Sequence, residues 1–122
     1  MLKKIAFIYT ESENQTNLFT PFHTKFDCAI KYGTNCKPYK FTFQCNTAHD
    51  IPTIASVMYS LIIDADGYNS SRGILDFMAC NGYEDYEEGE RVYDECKKTY
   101  DALHQMFTDE EIQAIMDEID ND

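Results

Sequence analysis

Seven carboxylates crowd into the stretch EDYEEGERVYDE: Glu84, Asp85, Glu87, Glu88, Glu90, Asp94 and Glu95. On a helix several of them fall three or four residues apart, where like charges repel and cost a few tenths of a kcal/mol per pair. That small cost fits an arrangement retained for a partner. One helical turn rises about 5.4 Å, comparable with the roughly 3.4 Å between phosphates along a DNA strand, so the row can face lysines and arginines as a nucleic acid does. The chemistry is electrostatic recognition, each carboxylate standing in for a phosphate. The bland counterpart is a solvated helix surface, and Arg91, Lys97 and Lys98 interrupt the acids.

Other reactive groups are weaker. Cys45 and His49 can be drawn as a nucleophile and base, and Cys28, Cys36, Cys45 and His49 as a zinc set. The zinc spacing is unconventional, and cysteines on strands are ordinarily small buried apolar residues. The run DADGYNSSRGIL from Asp64 has the outline of a calcium loop, but Tyr68, Asn69 and Leu75 stand at its fifth, sixth and twelfth positions. Calcium needs an oxygen ligand, a glycine and a bidentate glutamate there, so the run reads as a helix-ending turn at Gly67. Neither G-x-x-x-x-G-K-[ST] nor G-x-G-x-x-G occurs, which leaves nucleotide binding without a phosphate cradle. No cofactor and no catalytic residue is expected.

Charge is segregated along the 122 residues. Positions 1–49 carry six lysines against three acids, whereas positions 50–122 carry four basic residues against nineteen acids, so the net charge of −12 belongs to the second part. Such a field repels nucleic acid and anionic membrane and attracts basic protein surfaces. The opening MLKKIAFIYTESEN has too short an apolar run for a secretory signal, and nothing approaches the roughly 18 apolar residues of a membrane span. Five cysteines without a C-x-x-C read as reduced thiols. A cytoplasmic location follows.

The elements that must hold these groups can be traced by periodicity. Leu2 to Thr10 reads as a strand followed by a polar loop, ESENQTN; Phe22 to Tyr32 as a second strand closed by Gly33, Asn35 and Pro38. YKFTFQC, Tyr39 to Cys45, alternates strictly. The period then changes to 3.6, with Ile54, Val57, Met58, Leu61, Ile62 and Ala65 on one helical face and Asp50 as candidate cap. A second helix spans Ser71 to Cys80 and stops at Asn81-Gly82; a third spans Tyr86 to Met106; Thr108 and Glu111 form a capping box that opens a fourth. The expected fold is a single α+β domain over residues 1–122, a three-stranded antiparallel sheet in the N-terminal half packed against a bundle of four helices in the C-terminal half.

One stretch also resembles a known group. Phe41-Thr42 on a strand, then Pro52, Thr53, Val57, Tyr59, Ser60, Leu61, Asp64 and Ala65 along a helix, then Phe77, Gly82-Tyr83, Tyr93, Cys96, Leu103 and Phe107, resemble a pattern found in small proteins of bacteriophages and integrated mobile elements. The match covers about residues 39–107; Glu84 stands where the group has aspartate, and the arm before residue 38 matches nothing in it. Most of these positions are apolar and also suit a core. The group is largely uncharacterised, and the resemblance implies a phage or mobile-element origin more than an activity; small acidic phage proteins of this kind often look like anti-defence factors, including anti-CRISPR proteins, acting in the host bacterial cytoplasm. Its partner is then a host nucleic-acid-binding protein such as a CRISPR nuclease, met through Glu84, Asp85, Glu87, Glu88, Glu90, Asp94 and Glu95, with no direct contact to nucleic acid or membrane. Two further classes stay open: a small thiol- or metal-dependent enzyme built on Cys45 and His49, and a structural or regulatory protein that self-associates through tyrosine and phenylalanine surfaces.

Overall fold

The computed structural model describes residues 1–17, 20–34, 36–45 and 50–121, with 12–17 and 20–24 described by backbone alone. Three antiparallel strands, β1 (Ile5–Asn17), β2 (Thr20–Tyr32) and β3 (Tyr39–Cys45), form a sheet in the order β1-β2-β3. Four helices follow: α1 (Ile54–Ser70), α2 (Ile74–Asn81), α3 (Tyr86–Met106) and α4 (Asp109–Asp120). The α+β architecture expected from periodicity is the one observed, and no helix among the described residues is long and apolar enough to cross a membrane.

Register explains the sheet's two faces. Phe7, Ile30 and Tyr39 share a row, as do Tyr9, Cys28 and Phe41; the alternating rows Ile8–Ala29–Lys40 and Thr10–Asp27–Thr42 point the other way. The first set lies on the face toward the helices, where Ile30 is fully buried with Met58, Leu61, Leu103, Phe107 and Ile115. Each such side chain contributes about 1.5–3 kcal/mol by leaving water. The second set is bare, with Ile8 72% exposed.

Several local expectations are corrected. Leu2–Lys4 is a 3₁₀ turn that tucks Leu2 into the core, and the strand begins only at Ile5. ESENQTN continues β1, because pairing with the first residues of β2 satisfies its backbone where no helix demands an apolar face. The cap of α1 is Thr53, three residues after Asp50: its Oγ1 accepts from the Ser56 amide at 3.1 Å, while Ser56 Oγ accepts from the Thr53 amide at 3.0 Å. The helix then runs straight through Gly67, since Tyr68 packs edge-on against both Tyr93 and Tyr100. That tertiary contact overrides the roughly 1 kcal/mol helical penalty of glycine.

The helices meet through two clusters. α1, α3 and α4 close over the sheet, while α2 crosses the start of α3, with Phe77 against Tyr83 and Tyr93. Gly82, at φ 74°, ends α2 in the left-handed conformation that the Asn81-Gly82 signal predicts. Thr108 and Glu111 form the expected box at the head of α4.

Candidate functional site

The acidic stretch opens α3. Asp85 is its N-cap, accepting from the Glu87 amide at 3.3 Å, and Glu87 and Glu88 occupy the first turn. These three complement the positive end of the helix dipole and so stabilise the helix locally. All seven acids are exposed. Glu95 pairs with Arg91 at 3.1 Å; among the described residues the carboxylates of Glu84, Glu87, Glu88, Glu90 and Asp94 meet no hydrogen-bond or ion-pair partner.

The seven do not share one face. The buried stripe of α3 runs through Gly89, Cys96, Thr99 and Leu103. Opposite it, at helical spacings of three, four and seven, stand Glu87, Glu90, Asp94 and then Asp101, spanning about 21 Å at 1.5 Å per residue. Lys97 and Lys98 dilute the far end of this strip, which leaves the strongest field over the first turns. Glu88 and Glu95, seven residues apart, form a flank instead. Glu84 lies in the connection ahead of the helix.

Glu95 on that flank borders a groove of about 370 Å³ between β3, α1 and α3, whose lining includes Phe41, Leu61, Asp64 and Cys96. The sequence gives no warning that Asp64 and Glu95 approach each other, because only the packing of α1 against α3 joins them. Asp64 is exposed as a residue, yet its carboxyl is held above its ordinary value, first by partial burial against the groove wall and then by the charge of Glu95. Burial and the same two carboxylates push the Cys96 thiol up to about 11. Tyr39 is likewise raised, chiefly by burial.

The thiol chemistry drawn from the sequence finds little to use. Burial, then Asp50, raises the Cys45 thiol, and burial, then Asp27 and Cys45, pushes Cys28 up to about 11. A protonated, buried thiol is a poor nucleophile and a poor metal ligand. His49 lies outside the described residues, and among those described no three potential ligands gather around one point. Asp64 and Asp66 sit inside α1, so the calcium-like run forms no loop.

Self-association through tyrosine and phenylalanine surfaces also narrows. Every phenylalanine whose side chain is described is buried or half-buried. Among the described residues the exposed tyrosines are spread over three elements, Tyr9 on β1, Tyr59 on α1 and Tyr86 on α3, and the other exposed large apolar side chains are Ile8, Ile51, Ile63 and Leu75. Of the positions that carry the resemblance, Val57, Leu61, Ala65, Phe77, Cys96, Leu103 and Phe107 belong to the interior, while Ser60 and Asp64 line the groove. No family model, curated protein or solved structure matches the chain.

Proposed function

We propose that this chain is a charge-led protein-binding module, an inhibitor of phage or mobile-element origin that docks its acidic helical face on the basic nucleic-acid groove of a host protein, such as a CRISPR nuclease. The observation that carries the reading is the set of exposed carboxylates without a partner among the described residues, Glu84 just ahead of α3 and Glu87, Glu88, Glu90 and Asp94 in its first turns, on a helix that packs against both α1 and α2. A rigid scaffold matters here, since anions fixed in space lose little freedom when a cationic groove closes on them. Acids spread along the exposed strip steer the encounter as well as stabilise the complex.

The test is recovery of bound proteins from bacterial lysate by the tagged chain, with and without excess DNA. A nucleic-acid enzyme that DNA displaces supports the reading. Neutralising Glu87, Glu90 and Asp94 together should weaken its binding by about 100-fold, close to 2.7 kcal/mol, and flatten the salt dependence. Asp85 is left intact in that variant because it caps the helix. Partners indifferent to DNA, or affinity unchanged by the three substitutions, would sink the idea.

A further inference from the structure

The groove beside the acidic strip is rich in hydrogen-bond acceptors. Thr99 Oγ1 donates to the Glu95 carbonyl at 3.1 Å, which uses its only proton. The 2.9 Å contact between Tyr39 and Thr99 therefore has the phenol as donor. Both hydroxyl protons are spent inside the wall. Asp64, Glu95, Ser60 and Lys98 line the groove with the half-buried rings of Phe41 and Phe43 and apolar Leu61 and Val92, while Lys40 and Thr42 border it from β3, on rows that alternate to the other face of the sheet.

Among the described residues the Asp64 carboxylate has no hydrogen bond or ion pair, and the Glu95 carboxylate pairs only with Arg91, exposed on the helix surface. Lys98 lines the rim but bridges to neither. An anion in this space would meet two carboxylates against the single lysine at its rim, Lys98. A divalent metal would find two carboxylates where hard cations take about six oxygen ligands. An ammonium is also attracted to a ring face, but it is compact and strongly hydrated and cannot lie flat on the ring while forking to carboxylate oxygens. A guanidinium fits both halves: its planar face stacks on a ring while its fork of N–H groups reaches carboxylate oxygens. The volume, about 370 Å³, lies within the usual range of roughly 300–1,000 Å³ for ligand pockets.

We infer that this groove is an anchor site for one arginine side chain of the docked partner, held between the Asp64 and Glu95 carboxylates and the Phe41–Phe43 wall. The inference rests on the docking reading, which brings a basic protein surface to the mouth of the groove. Its test is a nuclear magnetic resonance titration of the full chain with N-acetylarginine methylamide, and in parallel with the lysine analogue, at about 0.15 M salt where exposed charges are largely screened. Saturable shifts are expected at the amides of Phe41, Ser60, Asp64 and Thr99, at least tenfold weaker for the lysine probe. They should be lost in Asp64→Asn, retained in the exposed control Asp120→Asn, and weakened in Glu95→Gln, a surface change that serves if Asp64→Asn does not fold.

Saturating arginine probe should also lower recovery of the partner from lysate. Absence of saturation, equal response to the two probes, or equal loss in Asp120→Asn would overturn the site. Saturation with partner recovery unchanged would overturn the assignment to a partner's arginine in favour of a free guanidine compound. The two readings fail separately: a saturable groove with no DNA-displaced partner removes the docking reading, whereas a DNA-displaced partner with a silent groove removes the anchor.

Discussion

Gly89 holds the acidic turn in place. A Cβ there would stand 2.6 Å from Met78 Cγ and 2.7 Å from its Sδ, so the buried Met78 side chain occupies the space that this glycine leaves and would have to shift to admit a larger residue. Gly89→Ala gains about 1 kcal/mol of helix propensity but forces an overpacking cost of about 1–3 kcal/mol. The expected result in denaturant unfolding is a net loss of up to about 2 kcal/mol. In a Met78→Ala background the same change should cost nothing or stabilise; an equal loss in both backgrounds would refute the contact. The sequence places this glycine among five acids and hides its purpose, since the clash is with a residue eleven positions earlier. The capping pair Thr108 and Glu111, in contrast, is wholly local and was readable.

At the scale of elements, the ends of helices carry two predictions. Thr53→Ala removes the α1 cap and should cost about 1 kcal/mol, while Asp50→Ala should leave stability unchanged; the opposite order in thermal melts would return the cap to Asp50. α4 is tied down by carboxylates: Glu111 accepts from the Tyr32 hydroxyl at 2.7 Å, and Glu118 from the N-terminal ammonium at 2.9 Å and the Leu2 amide at 3.2 Å. Backbone and side-chain hydrogen bonds hold both carboxyls below their ordinary value of 4.5. A carboxyl depressed in the folded state stabilises above that ordinary value and stops doing so as the pH falls through the folded one. Amide exchange in α4 should therefore accelerate on acidification below about 4.5, and Glu111→Gln with Glu118→Gln should weaken α4 at neutral pH and flatten the acid response. An acid response identical to that of the parent chain would exclude the tether. Strand β3 was legible because alternation alone defines it. The far part of β1 was not, because a two-stranded arm needs no apolar alternation, only a partner for its backbone.

The whole molecule is electrically lopsided. Lys31 and Lys40 lie on the bare face of the sheet, and the unpartnered acids lie on the outer side of α3. With a net charge of −12, self-repulsion works against the compact state and weakens as the Debye length shrinks. Melting temperature should rise from low salt to about 0.2 M, by roughly 4 °C if screening recovers about 1 kcal/mol; a flat or falling curve would mean that the acids are already balanced within the fold. The acidic face was visible in the sequence as a run of letters. Its division into an outer strip and a groove flank was not, and neither was the Asp64–Glu95 approach, because both depend on which side of α3 the sheet and α1 occupy.

The long arm of β1 and β2 has a consequence for the protein in concentrated solution. Among the described residues β1 and β3 are the two edges of the sheet, each paired with β2 alone, and an open edge is a template on which a foreign strand can assemble. The β1–β2 register shifts between Glu11 and Glu13 and again between Gln15 and Asn17. Such irregularities bend a strand and interrupt its ladder. An incoming chain that began to pair along this edge would lose step within a few residues, which works against the growth of fibrils from the most extended part of the fold.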